Sequence, residues 1–453
     1  MANTVSTITK THPARDHCLA PSRPVDAPLI GFEGRYGRMF PDLAALNADD
    51  AQLLALGVEG AACDSGDGEA PDGREAAGWP VFGQFVAHDI TADRSPLQDR
   101  ANPSQIGSFR SPRANLECLY GAGPASPYLY SRGDPALFLI GDNDVPRNAE
   151  GIALLGDARN DVHVLVSQLH LAFLRVHNLL VGRLREDGVP EADLFMEARR
   201  ATMWHYQWVL VNDFLPRLVG RELVDDLLAG GRSWYRPDGE AFIPFEFADA
   251  AYRYGHSQMR DRYRVNEGSE PVRLFPELIG FGPVPEALQV DWAFLFDVPG
   301  CRPAQRAKRI DGRLARSLIR LPLEITGDVD LDAYHSLASR DLQRGQAIGL
   351  PSGEAVARAI GADPLDPGEV GLAAGGWQEE TPLWFYVLRE ADVRGDGDRL
   401  GPVGGRIVAD VLIGIVRLDS ESFLAVDPGW IPTLADAAHS FGMGELVAAL
   451  QAD

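Results

Sequence analysis

The chain has 453 residues, 45% apolar and 24% charged, with 42 Lys and Arg against 65 Asp and Glu, a formal net charge of −23. This composition suits a globular protein with a sizeable core and excludes a fibre, a wholly disordered chain and a disulfide-dense mini-protein. The acidic balance argues against a nucleic-acid-binding protein, which needs a basic face, and against a polybasic membrane anchor.

In chain order, residues 1–30 are polar and Pro-containing, the pattern of an extended arm, leaving 31–453 as one large domain. The first twenty residues lack an apolar stretch, so no secretory signal is expected and the cytoplasm is the default compartment, with signal-less export open. Residues 58–78 read as a Gly/Asp/Glu-rich loop whose DSGDGE stretch (64–69) lacks full EF-hand spacing and reads as solvated. From Val162 the pattern turns helical: Leu165, Leu169, Ala172, Val176, Leu180 and Leu184 recur at spacings of three and four. A second helix is expected over 192–218, stopping near Pro216, and a third over 247–260. Others are expected near 312–320, 333–345, 353–360, 404–416 and 433–450. Val/Ile/Thr alternation is scarce, and no linker or internal repeat divides the chain. The expectation is a mainly α, large single-domain fold with few short strands. No run of 18 apolar residues occurs, so no transmembrane segment is expected. RGD at 394–396 reads as chance. Cys18, Cys63, Cys118 and Cys301 are far apart, with no CxxC, as ordinary reduced thiols would be; two disulfides are the alternative in an oxidising compartment.

There are ten His. His163, His170 and His177 share a helical face, but steps of seven residues rise about 10.5 Å, too far to share one metal ion. His170, His177 and His205 read as hydrogen-bonded packing residues. His88, in WPVFGQFVAHDITAD, has an acid directly after it. His256, in AYRYGHSQMR, has Arg253 one helical turn before it, where a guanidinium can pair with a cofactor carboxylate.

Seven segments carry a resemblance: FGQFVAHD (82–89), GDAR (156–159), RVHN (175–178), NDFLP (212–216), YRYGH (252–256), DLQRGQAIGLP (341–351) and LGP (400–402). In this order, over about residues 30–425, the chain resembles the animal-type haem peroxidase superfamily (myeloperoxidase/cyclooxygenase-like), in its bacterial branch. The resemblance implies a mainly helical domain around a buried b-type haem. His256 matches the proximal iron ligand, and Asp341 stands where the family has the Asn that bonds its other nitrogen. A carboxylate there gives the ring imidazolate character and lowers the iron's reduction potential. His88 matches the distal acid-base His, Arg159 the distal Arg that stabilises developing negative charge, and Gln84 the distal Gln. Ala87 and Val162 stand where many vertebrate members form ester links to haem, and neither can form one. His163 falls on a third linking position, four after Arg159, and is placed at the haem edge. The haem b is therefore expected to be non-covalent. The family's calcium site maps to Asp89, Ser111, the Arg113 carbonyl, Asn115 (an Asp in the family) and Glu117.

The implied activity is a haem peroxidase that reduces hydrogen peroxide through a ferryl intermediate and oxidises a small-molecule electron donor, organic or iodide rather than chloride. The alternatives are a haem-dependent fatty-acid dioxygenase and a non-catalytic haem-binding protein. The dioxygenases have a Tyr three residues before the proximal His, where this chain has Arg253. The retained His88, Arg159 and Gln84 speak against lost catalysis.

Overall fold

Continuous apolar sequence decides the centre of the molecule. In the computed structural model, which describes residues 34–68, 70–92, 106–121, 123, 126–435 and 440–452, the helix Val164–Glu186 is buried without a break from Val164 to Leu174. A helix so largely apolar over its first three turns belongs inside there. It packs against the helices Leu194–Trp208 and Trp79–Ile90, with Phe85 stacked on Phe173 at 5.0 Å between ring centroids and Tyr206 edge-on to both. Among the described helices it alone is long and apolar enough to cross a membrane, which the sequence expectation did not anticipate; 83% of its most apolar window is buried in the fold. The arm expected over residues 1–30, with Cys18, lies outside the described residues. Cys63 and Cys118 are buried free thiols and Cys301 is an exposed one.

The fold is mainly helical and its strands are short, as expected. Gly34–Gly37 pairs antiparallel with Gly107–Ser108 (Gly34 opposite Ser108) and parallel with Ile243–Pro244 (Tyr36 opposite Ile243). Asp72–Ala76 pairs antiparallel with Arg306–Lys308, and Arg262–Tyr263 with Val272–Arg273.

Several expected helices are subdivided. The 192–218 segment becomes Leu194–Trp208, a π-helical turn Val209–Phe214, and Leu215–Val219. Pro216 does not stop it. It sits in the first turn of the last piece, where its missing N–H is not needed, and Gly220, at φ +89°, ends the run. The 247–260 segment is three short pieces, Phe245–Ala248, the 3-10 turn Ala251–Tyr254 and Gly255–Gln258. Residues 247, 248 and 252–256 all line one cavity, and one straight helix, which presents a single stripe inward, would not place them there.

The helix expected over 312–320 shrinks to Arg316–Ile319, and that over 333–345 becomes a 3-10 turn followed by Leu337–Ile348. Gly353–Ile360 matches its expectation, with Ser352 accepting from the Ala355 amide at 3.1 Å as N-cap. Pro402–Leu418 runs slightly longer than 404–416. Met443–Gln451 is the helical part of 433–450; Thr433–Ala435 are not helical, and 436–439 lie outside the described residues. RGD ends the helix Leu383–Gly395, with Arg394 paired to Glu369. The DSGDGE loop is not simply solvated. Asp64 is buried, accepts from the Gly60 and Gly66 amides, and pairs with Arg316 at 3.1 Å.

Candidate active site

The broken 245–258 segment, the helix Trp79–Ile90 and the turn before Val164 enclose a cavity of roughly 1300 Å³, mouth included. Phe247, Tyr252, Met259, Leu274, Phe275, Leu318, Leu321, Ile325 and Leu337 give it apolar walls. Its polar side chains include Gln84, His88, Arg159, His163, Arg253 and His256. A large apolar cavity with a few converging polar groups is the usual form of a cofactor site.

His88 lies in the last turn of Trp79–Ile90 and is 3% exposed. Its Nδ1 is 2.7 Å from the Asn160 side-chain oxygen, and the Asn160 amide nitrogen is 2.9 Å from His170 Nδ1. With the amide so oriented, His88 Nδ1 carries the proton and Nε2 is the basic nitrogen. Burial lowers the His170 pKa to about 3, so that ring stays a neutral acceptor. Gln84, one turn before His88 on the same helix, lines the same cavity.

Arg159 is fixed on three sides. Its Nε and Nη2 fork onto the Asp157 carboxylate at 3.0 and 2.8 Å, and Nη2 also donates to the His88 carbonyl at 2.8 Å. Asp157 caps the 3-10 turn Ala158–Asp161 through the Arg159 amide. Burial alone would raise the Asp157 pKa, but the charges of Arg159 and Arg110 overcome it and hold the carboxyl well below its usual range. His163 lines the cavity by a different route from the expected one. It is the N-cap of Val164–Glu186, its Nδ1 accepting from the Leu165 amide at 3.3 Å, and it shares no helix with Arg159.

On the other histidine, Nδ1 of His256 is 2.6 Å from Asp341, a fully buried side chain on Leu337–Ile348. Arg253 lines the same cavity. Its Nη1 bonds the other Asp341 oxygen at 3.0 Å and its Nε bonds the Ala248 carbonyl at 2.9 Å. Asp249, 3.9 Å from Arg253, also bonds Arg344 at 3.2 Å. Burial pushes the Asp341 pKa up, but His256, Arg253 and Arg344 together hold it below its ordinary value. The cavity fits a haem in its chemistry: it has apolar walls and a histidine whose ring is oriented by a carboxylate behind it.

The residues of the expected calcium site come together between the helix Trp79–Ile90, which carries Asp89, and the 111–117 loop. Asp89 is buried, and its two oxygens accept from the Leu116 and Cys118 amides at 3.0 and 3.2 Å. Glu117 is bound by Arg110 at 2.8 Å and by the Ser111 hydroxyl at 2.9 Å. The Asn115 oxygen accepts from the Glu117 amide, and the Arg113 guanidinium lies 3.8 Å from Asp419. Calcium takes six to eight oxygens, and the side-chain oxygens of Asp89, Asn115 and Glu117 already accept from N–H and O–H donors. Among the described residues, no group of three or more His, Cys, Asp and Glu is arranged to hold a metal.

His177 bonds the Tyr120 hydroxyl and the Ala136 carbonyl, and His205 the Ala201 carbonyl and the Leu434 amide, so both pack as expected. The sequence reading did not single out Asn160, the Asn160–His170 relay or Arg110.

Residues 132–366 match the animal haem peroxidase family. The chain is 27% identical over 273 residues to chorion peroxidase of Drosophila melanogaster, covering 56% of this chain and 32% of that protein. It is 26% identical over 317 residues to peroxidase skpo-1 of Caenorhabditis elegans, covering 60% and 46%. It thus spans a third to under a half of these relatives. Its fold is shared with peroxidase A of Dictyostelium discoideum (TM-score 0.61, 16% identity, 87% of this chain and 88% of that one). It is also shared with Oryza sativa fatty acid alpha-dioxygenase (TM-score 0.62, 15% identity, 89% and 76%).

Proposed function

Because the chain belongs to the animal haem peroxidase family, we propose that it binds haem b in this cavity, reduces hydrogen peroxide there and oxidises a small donor. The observation that carries the reading is that His88, Arg159 and His256 line a single cavity, with Asp341 bonded to His256 from behind. His256 is the iron ligand, through the nitrogen that Asp341 does not bond. Ala87 and Val162 line the cavity without a carboxylate, so the haem is held by His256 and burial.

When bound, the haem supplies the electrons that cleave the peroxide bond. His88 Nε2 takes the proton from the oxygen that binds and delivers it to the oxygen that leaves as water. Asn160 keeps the proton on Nδ1 and so keeps Nε2 basic. Arg159, unable to swing away from Asp157, offers positive charge where negative charge develops on the departing oxygen. Gln84, one turn before His88, is placed to orient water or a small anion in the same cavity. Without covalent haem links, an organic donor or iodide is the expected reductant rather than chloride. The dioxygenase alternative fits less well, because the residue three before His256 is Arg253, bonded to Asp341.

The test is an absorption spectrum of haem-loaded protein before and after peroxide, followed by turnover of a phenolic donor and of iodide. A Soret band that peroxide leaves unchanged, with no donor oxidised, would sink the reading.

A further inference from the structure

Arg110 joins parts of the distal site that the expected ligand set leaves separate. It lies two residues past Ser108, the end of the strand Gly107–Ser108, and its side chain is 12% exposed. Its Nε and Nη2 bond one Asp157 oxygen at 3.0 and 2.8 Å, Nη2 also donates to the Gly156 carbonyl at 2.8 Å, and Nη1 donates to Glu117 at 2.8 Å. Asp157 holds Arg159, and Arg159 reaches the His88 carbonyl. One guanidinium thus ties the 108–117 loop, the 156–159 turn and, through Arg159, the end of the helix that carries His88. Two guanidinium charges offset the carboxylates of Asp157 and Glu117, and Arg110 also favours the ionised form of a third, the buried Asp89, whose pKa burial raises to about 6, in a place where an unbalanced charge would be costly. Arg316, set against Glu59, Asp64 and Asp67, closes the DSGDGE loop in a similar way.

We propose that Arg110 is a positioning residue for Arg159, and that its fixed charge does in this chain the work the family resemblance assigns to calcium, so the distal loop is set without a divalent metal. A lysine would keep the charge, but its compact ammonium cannot span two carboxylates and a carbonyl as the planar fork does. Only the kinetic arm of the test rests on the peroxidase reading.

The metal arm uses wild-type haem-loaded protein: elemental analysis, and melting temperature with EDTA or added calcium. No stoichiometric calcium and no change in melting temperature are expected. One calcium per chain, or a melting temperature that falls with EDTA and returns with calcium, overturns the proposal. The kinetic arm follows the Soret change with peroxide in Arg110→Gln and Arg110→Lys. Arg110→Gln is expected to keep its haem but react roughly 10–10²-fold more slowly, the scale of a misplaced catalytic group. Arg110→Lys should recover part of that rate, with the donor KM unmoved in both. Arg110→Gln reacting at wild-type speed overturns the positioning role. If Arg110→Gln does not fold, Arg110→Lys decides: a slowed reaction with an intact Soret band supports the role, and a wild-type rate overturns it. A wild type that ignores peroxide sinks the peroxidase reading, while the metal arm still judges Arg110.

Discussion

The two histidines of the cavity are held by different chemistry at the same ring position. Nδ1 of His256 faces the Asp341 carboxylate, itself bonded to Arg253. Nδ1 of His88 faces a neutral amide, Asn160, which leads on to the neutral ring of His170. A carboxylate draws the ring proton and makes the far nitrogen electron-rich, which suits a permanent metal ligand. An amide fixes the tautomer but adds no charge, so His88 can take a proton and give it back. The arginines differ in parallel. Arg253 shares the proximal carboxylate and so tempers its pull on His256, whereas Arg159 is bound to a different carboxylate, Asp157, and reaches the His88 backbone rather than its ring.

The largest expected effects follow from removing the rings. His256→Ala should abolish haem retention or shift the ferric spectrum; an unchanged Soret band and activity would break the proximal half of the comparison. His88→Ala should keep haem but slow the peroxide reaction by roughly 10²–10⁴-fold, the range for a lost acid-base group. Stopped-flow measurement of the Soret change against pH reads this, and the acid limb of the wild-type profile should vanish. An acid limb that survives in His88→Ala assigns the base to another residue.

Both rings were legible in the sequence, because YRYGH and FGQFVAHD are contiguous motifs and the partner of His256, Asp341, sits in a third. The rest was not, for a physical reason. Asn160 carries no signal beyond following Arg159, and His170 is one of several histidines on an apolar face, so only the fold shows that they meet. Arg253 was placed correctly one turn before His256, but spacing cannot tell whether a guanidinium points into a cavity or back to a buried carboxylate. The long helix Val164–Glu186 was readable because its periodicity is local. The pieces of 245–258 were not, because the cavity they wrap sets their breaks.

Exchanging the two partners sharpens the comparison. Asn160→Asp would give the distal ring a carboxylate, raising its proton affinity and leaving less neutral base at neutral pH. An opposite charge in contact shifts a pKa by about one to three units, so the peroxide reaction at pH 7 should slow by about ten- to a hundredfold and recover as pH rises. A uniform loss at every pH would mean the substitution misplaces the ring rather than charging it. Asp341→Asn is the reverse exchange. It should raise the iron's reduction potential in a spectroelectrochemical titration, because the ligand ring loses imidazolate character. A potential that falls or stays put would show that Arg253 already cancels the carboxylate.

The smallest effect at neutral pH, and the most specific to the neutral relay, belongs to His170. Burial holds its folded pKa at about 3, against an ordinary value of 6.5. Below pH 6.5 the unfolded chain takes up a proton on this residue while the folded chain does not, so stability falls as pH drops from about 6.5 toward 3 and is fully present above that window. A shift of that size corresponds to no more than roughly 5 kcal/mol across the window. His177 and His205, both lowered to about 4 by burial, add slopes of the same sign. His170→Gln should therefore be modestly destabilised at pH 7.5, where only the bond from Asn160 is disturbed. Its stability should then fall less steeply than wild type on acidification, by about one proton's worth of slope in denaturant midpoints measured from pH 7.5 to 4. The acid limb of its peroxide reaction should remain, since that limb belongs to His88. If His170→Gln loses the acid limb, the relay is carrying the proton rather than only holding the amide, and the distal ring is not the isolated neutral base that the contrast with His256 requires.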